Sequence, residues 1–333
     1  MSSRTRFLVR RVGFYAATLW SAITLNFLIP RLMPGDPASV IVRQLQKQSG
    51  QSVPPESVEA IRKLFGNPRA NILQQYVDYL NSLAHGDFGL SVSRFPTPVS
   101  ELLAAGLPWT LVLVGTTTVL AFLLGTALGI ASGWRPGSKL DGFLSPLSTF
   151  LTAVPYFWVA LIALWLFGLV LGWFPLGGGY DPDLYGRPGF FGSVLYYLAM
   201  PAATIVFSSF GGWLLGMRNM MITTVSEDYV LLGKAKGLSG ARIMFRYAAR
   251  NAMLPTVTGF ALAIGGVLGG ALLTEIVFAY PGIGYLLFDA VGKRDYPLMQ
   301  GVFLMTTLTV LLANLVADSI YVLIDPRTRE GGR

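Results

Sequence analysis

The sequence predicts an all-α polytopic membrane protein with six transmembrane helices and an external helical segment between helices 1 and 2. Three observations predict it. Of 333 residues, 53% are hydrophobic and 13% charged, about half of the roughly 25% charge that a soluble domain carries. Six uncharged stretches, 12–30, 102–134, 142–180, 188–217, 251–274 and 296–317, each suffice for one crossing, which takes about 20 apolar residues. Lys and Arg are also distributed unevenly between the two sides that six crossings define. The 38 glycines agree, since glycine is more frequent in transmembrane helices than in soluble ones.

Residues 1–11 form the N-terminus, with Arg4, Arg6, Arg10 and Arg11 ahead of the first span at 12–30. No A-x-A site follows, so this span reads as an uncleaved signal-anchor. Residues 31–107 are the external segment. In it, Pro54-Pro55-Glu56 opens a helix with Val58, Ile61, Leu64 and Phe65 on one face and Gly66 at its end. Asn71 caps a second helix with the stripe Ile72, Tyr76, Val77, Leu80 and Leu83. Such helices lie on a membrane surface, dock a partner or pack on their own domain. Residues 108–333 supply a five-helix core. Its third uncharged stretch holds one crossing plus a loop.

With six spans both termini share a side. That side, with the loops at 135–141 and 218–251, carries fifteen Lys and Arg against five acidic residues; the other carries ten against ten. The positive-inside rule places the termini and the 218–251 loop in the cytoplasm. The formal charge of +8 therefore reflects basic loops and not nucleic-acid binding.

The 218–251 loop resembles a socket for a soluble partner. Thr224-x-x-Glu227 has capping-box spacing, and Gly237 is placed as a left-handed stop with Ser239 capping a second helix. Glu227 and Asp228 put negative charge at the first helix's N-terminus, where the dipole favours it. Tyr229, Leu232 and Ala235 form a small apolar face beside Lys236. Arg242, Arg246 and Arg250 recur every four residues, suited to acidic groups on a partner or to anionic lipid headgroups.

Glycines 125, 129 and 133, and the pairs Gly265/Gly266 and Gly269/Gly270, form small-residue stripes that let helices approach closely. Acids within spans are confined to Glu275 and Asp318, near opposite ends. Enzyme chemistry is not legible. Gly237-Leu238-Ser239-Gly240 has a protease-like spacing, but the single histidine, His85, falls across the membrane from Ser239. No glycine cluster continues into a phosphate-binding loop. Without cysteine, and with one histidine, no thiolate or multi-histidine metal site is available. No cofactor is expected.

Six motifs in order then carry a family resemblance. They are Leu32-Met33-Pro34-Gly35-Asp36-Pro37-Ala38, Gly86-Asp87-Phe88-Gly89-Leu90-Ser91, Ala235-Lys236-Gly237-Leu238-Ser239, the run from Glu275 to Gly284, Arg294-Asp295-Tyr296-Pro297 and Asp325-Pro326-Arg327. With them the chain resembles the inner-membrane permease subunit of binding-protein-dependent ABC importers, in the dipeptide/oligopeptide/nickel branch. Where the general EAA loop has Glu-Ala-Ala, this chain has Leu231, Leu232 and Gly233, a departure that fits the peptide branch. The resemblance implies the six-span type I importer fold in the cytoplasmic membrane. It also implies a second related permease, two cytoplasmic ATPases and an external substrate-binding protein. It assigns ATPase coupling to the segment from Glu227 to Arg246. Glu275, Tyr280, Pro281, Gly282 and Gly284 are expected to form part of an external gate, where Gly282 and Gly284 permit a tight turn after Pro281. Di- or oligopeptides are the implied cargo, with oligosaccharide, nickel, glutathione or opine as alternatives. An ion-coupled secondary transporter is the competing class; it needs ionisable residues at mid-bilayer.

Overall fold

A computed structural model describes residues 3–32, 41–42, 46, 54–64, 71–265 and 272–324. Among these, every extended element is helical. Four helices are long and apolar enough to cross a membrane, or up to five if one bent pair counts as a single span. The chain divides into two compact units, Met1–Trp109 with Pro281–Leu312 and Gly332–Arg333, and Thr110–Tyr280 with Ala313–Gly331.

In the first unit, α1 (Ser3–Leu32) is the first long apolar helix, and α2 (Pro55–Leu64) and α3 (Ile72–Ala84) follow. Asn71 caps α3 as its sequence predicts, accepting from the Leu73 amide. The predicted stripe of α3 divides. Tyr76 packs edge-on against Phe27 of α1, with centroids 5.0 Å apart, and its hydroxyl lies 2.7 Å from Thr24 Oγ1. Ile72 and Val77 remain exposed. Phe65, Gly66 and the motif from Met33 to Ala38 lie outside the described residues.

Helix α4 (Val99–Trp134) belongs to the first unit up to Trp109. There Val99, Leu102 and Leu103 build a core with α12 (Ile283–Lys293) and α13 (Tyr296–Ile324). Side chains beyond Leu315, Asp318 included, lie outside the description.

In the second unit, the stretch expected to hold one crossing and a loop contains two helices with a break between them, followed by irregular chain after Val170. Helices α5 (Lys139–Ala153) and α6 (Tyr156–Ala163, continued by a π-helical turn Leu164–Val170) meet at 96°. Pro155 has no N–H to return to the preceding turn, and this ends α5. Helix α7 (Phe190–Val225) runs unbroken for 36 residues. The small-residue stripe of α4 explains how it meets α7. A Cβ added at Gly129 would lie 2.7 Å from Leu214 O and Met217 Cβ, and at Gly133 2.6 Å from Met221 Cβ. The stripe thus packs within the chain. Gly266, Gly269 and Gly270 lie outside the described residues.

Candidate functional site

After α7 the chain turns into α8 (Asp228–Ala235), then α9 (Gly240–Arg242), a π-helical stretch Ile243–Ala249 and α10 (Arg250–Gly265). The two short helices form the expected knob, with one correction. There is no capping box. Thr224 is still inside α7, where its hydroxyl donates to Met220 O at 2.7 Å, and Glu227 holds the cap position of α8 without a side-chain bond. A threonine that bonds back to its own helix is not available as a cap. Ser239 likewise occupies the cap position of α9 without a side-chain bond.

The stop at Gly237 is as the sequence predicts. Its φ is +75°, its amide donates to Lys234 O at 3.0 Å, and the Leu238 amide donates to Gly233 O at 3.3 Å. These are the paired bonds of a Schellman motif. Inward, Val230 is fully buried with Ile243, Met217, Met221 and Ala248 in one cluster, onto which Leu238 packs. Outward, Asp228, Tyr229, Leu232, Ala235 and Lys236 are exposed. The knob is therefore anchored on one face and bare on the other. Arg242, Arg246 and Arg250 are all exposed. Arg246 and Arg250 line one shallow cavity of about 460 Å³, whose lining does not include Arg242.

Sequence reasoning missed the ionic joint above the knob. Asp141, on α5, is 4% exposed. Arg218 of α7 donates to it twice, Nε to Oδ1 at 2.5 Å and Nη2 to Oδ2 at 2.8 Å. Ser132, Ser145 and the Gly137 amide donate to the same carboxylate. The one local signal was the spacing Ser138-x-x-Asp141, since Ser138 caps α5 and accepts from the Asp141 amide.

The gate candidates fall in both units. In the second, α11 (Leu272–Val277) carries Glu275, which is fully buried and accepts from Thr110 Oγ1 at 2.6 Å. Tyr280 is also fully buried; burial first, then the Glu275 carboxylate, push its phenol above the ordinary range, so it is a neutral hydroxyl. The expectation that Gly282 and Gly284 make the tight turn is corrected. Gly282 has φ −89°, and Gly284 lies inside α12. The left-handed residue is Ala279, at φ +43°, where the Ala279 and Tyr280 amides close a second Schellman motif on Ile276 and Glu275. Pro281, in the first unit, is half-buried.

In the first unit, two motifs that the sequence presents separately bind each other. Ser93 donates to Asp295 Oδ2 through both its amide and its hydroxyl, at 2.8 Å each, and Ser91 Oγ donates to the same oxygen. Asp295 also caps α13, accepting from the Leu298 amide at 3.2 Å.

Several helices long and apolar enough to cross a membrane, with a short two-helix knob anchored on one face and exposed on the other, are the features of a multi-pass membrane protein. Residues 125–330 match the family model described as the binding-protein-dependent transport system inner membrane component, and the chain belongs to that family. It is similar to the oligopeptide transport system permease protein AppB of Bacillus subtilis, 32% identical over 96% of this chain and 98% of the relative. It is similar to the di/tripeptide transport system permease protein DppB of Pseudomonas aeruginosa, 34% identical over 97% and 98%. A third relative is the probable D,D-dipeptide transport system permease protein DdpB of Escherichia coli, 35% identical over 92% and 93%.

Proposed function

We propose that the chain is the membrane permease of an ATP-driven importer of di- or oligopeptides. It would work with a second, related permease, two cytoplasmic ATPases and an external substrate-binding protein. The observation that carries the reading is near full-length similarity to three permeases named for peptide transport. ATP hydrolysis sits on the separate ATPase subunits, as the family's division of labour requires.

In this reading six crossings place both termini and the knob in the cytoplasm, supported by the fifteen-to-five excess of basic over acidic residues on that side. The exposed face of α8, from Asp228 through Tyr229, Leu232 and Ala235 to Lys236, seats in a groove of the ATPase. Gly237 fixes the angle at which α9 leaves, and Arg242 and Arg246 meet acidic groups of the ATPase or lipid headgroups. ATP binding closes the ATPase dimer, moves the knob and switches the bundle between inward- and outward-facing states, a rigid-body two-state change. Glu275, Tyr280, Pro281, Gly282 and Gly284 contribute to the external gate.

The test is uptake in proteoliposomes holding all subunits, with labelled peptide and the binding protein outside. ATP inside the ATPase compartment drives accumulation. Uptake that follows an ion gradient without ATP would instead indicate a secondary transporter. Accumulation of nickel, oligosaccharide, glutathione or opine, and not of peptide, would reassign the cargo.

A further inference from the structure

The break between α5 and α6 opens into a cavity of about 560 Å³ walled by α5, α6, α7 and α11. Val154 and Pro155 are extended, with ψ of 123° and 130°. Pro155 offers Leu151 no N–H, and the 96° bend carries the next amides away. Irregular backbone within a membrane span persists only where protein or a water-filled cavity satisfies it.

Hydroxyl groups dominate the polar lining. Thr152, Tyr156, Ser208, Ser209 and Thr274 all contribute, and no lining side chain is charged. Thr274 Oγ1 donates to Tyr156 Oη at 2.6 Å, and Tyr156 Oη lies 3.3 Å from Thr204 Oγ1. This relay fixes two of the lining hydroxyls, those of Thr274 and Tyr156, in place. Ser208 Oγ is different. It is buried and has no hydrogen-bond partner among the described residues, an arrangement that leaves desolvation uncompensated unless a ligand or water supplies the bond.

We infer that this cavity is a binding point on the translocation route that holds the main chain of a passing peptide. The inference rests on the peptide-importer reading above. Amide N–H and C=O groups require neutral donors and acceptors, and the hydroxyls provide both roles by rotation. No lining side chain is charged, so the cavity offers peptide side chains and termini no ion pair and leaves them to water. The cavity therefore selects for the repeated part of a peptide and is indifferent to the variable part.

The experiment uses the assembled transporter in proteoliposomes with Ala-Ala-Ala, Ala-Lys-Ala, Ala-Glu-Ala and backbone N-methylated trialanine. Ser208→Ala and Thr274→Val are each expected to lower uptake roughly three- to ten-fold, the worth of one hydrogen bond. The factor should be the same for the three plain peptides, and for Thr274→Val it should be near one with the N-methylated peptide, because the Thr274 hydroxyl proton is committed to Tyr156 and its oxygen can only accept from a peptide N–H. Ser209→Cys, at an exposed wall position in a chain without cysteine, provides a direct second measurement. A bromoacetyl tripeptide should alkylate it during ATP turnover, and plain trialanine should protect it.

Unchanged uptake in both hydroxyl variants overturns the inference. So does a loss confined to one side-chain class, or a Ser209→Cys that peptide neither alkylates nor protects, as when lipid or the second permease fills the cavity. In each of those results wild-type uptake of peptide persists, and the importer reading stands. Should wild-type transporter import none of the peptides, that reading falls and takes this one with it.

Discussion

Arg218 holds Asp141 through two parallel bonds, Nε to Oδ1 at 2.5 Å and Nη2 to Oδ2 at 2.8 Å. Fork-to-fork pairing of this kind fixes direction as well as charge. Because it joins α5 to α7, it ties the bent helix pair to the helix that leads into the knob. Breaking one side of such a buried pair costs about 3–5 kcal/mol, since the remaining charge is left without compensation. Arg218→Ala should therefore lower the thermal midpoint of the detergent-purified subunit sharply, and Asp141→Asn with Arg218→Gln should recover much of the loss. Additive damage in the double variant would mean that the two groups do not act as a pair.

Two glycines of α4 are expected to respond in opposite directions. At Gly129 an added Cβ meets backbone and side chain of α7 at 2.7 Å, whereas at Gly115 nothing lies within 4 Å. Gly129→Ala should destabilise the fold by several kcal/mol, in line with overpacking. Gly115→Ala should stabilise it by about 0.5–1 kcal/mol through backbone entropy alone. Thermal melts of the two variants side by side decide it, and similar shifts would contradict the close approach of α4 and α7.

Gly237 provides a third prediction. A Cβ there meets nothing within 4 Å, so the only cost of substitution is the left-handed backbone, roughly 1–2 kcal/mol for a β-branched residue. Gly237→Val should insert in the membrane normally yet lose ATP-driven uptake, because α9 leaves the knob at another angle. Gly237→Asn, which tolerates φ above zero, should keep most activity, and Val310→Leu, in α13, serves as a mild comparison. Normal uptake by Gly237→Val would make the segment an ordinary loop.

Orientation is open to a simple check, because the chain has no cysteine. Ala60→Cys should react with an impermeant thiol reagent in intact cells, and Ala235→Cys only after the cells are opened. The reverse pattern would invert the topology.

Much of this was legible from local chemistry. The knob announced itself through Gly237 and Ser239, the helix contact through Gly125, Gly129 and Gly133, and the first α3 turn through Asn71. Pairings across long stretches of chain were not. Asp141 and Arg218 are 77 residues apart, and Ser91 and Asp295 are 204 apart; hydrophobic periodicity carries no information about either. The break at Pro155 was hidden by an uncharged run in which the proline was the sole signal. The turn after α11 was misread for a different reason. Left-handed backbone is cheapest for glycine, so the prediction went to Gly282 and Gly284, while the surrounding helix holds Ala279 there instead.

The unbroken length of α7 has a mechanical meaning. At 1.5 Å per residue a helix of 36 residues is about 54 Å long, and the knob hangs directly from one end of it. A tilt of about 10° about the far end would swing the knob end by roughly 9 Å on that length, and would shift Ser208, near the middle, by about half as much. Force applied at the knob therefore reaches the hydroxyl-lined cavity by leverage, and needs no chain of side-chain rearrangements in between.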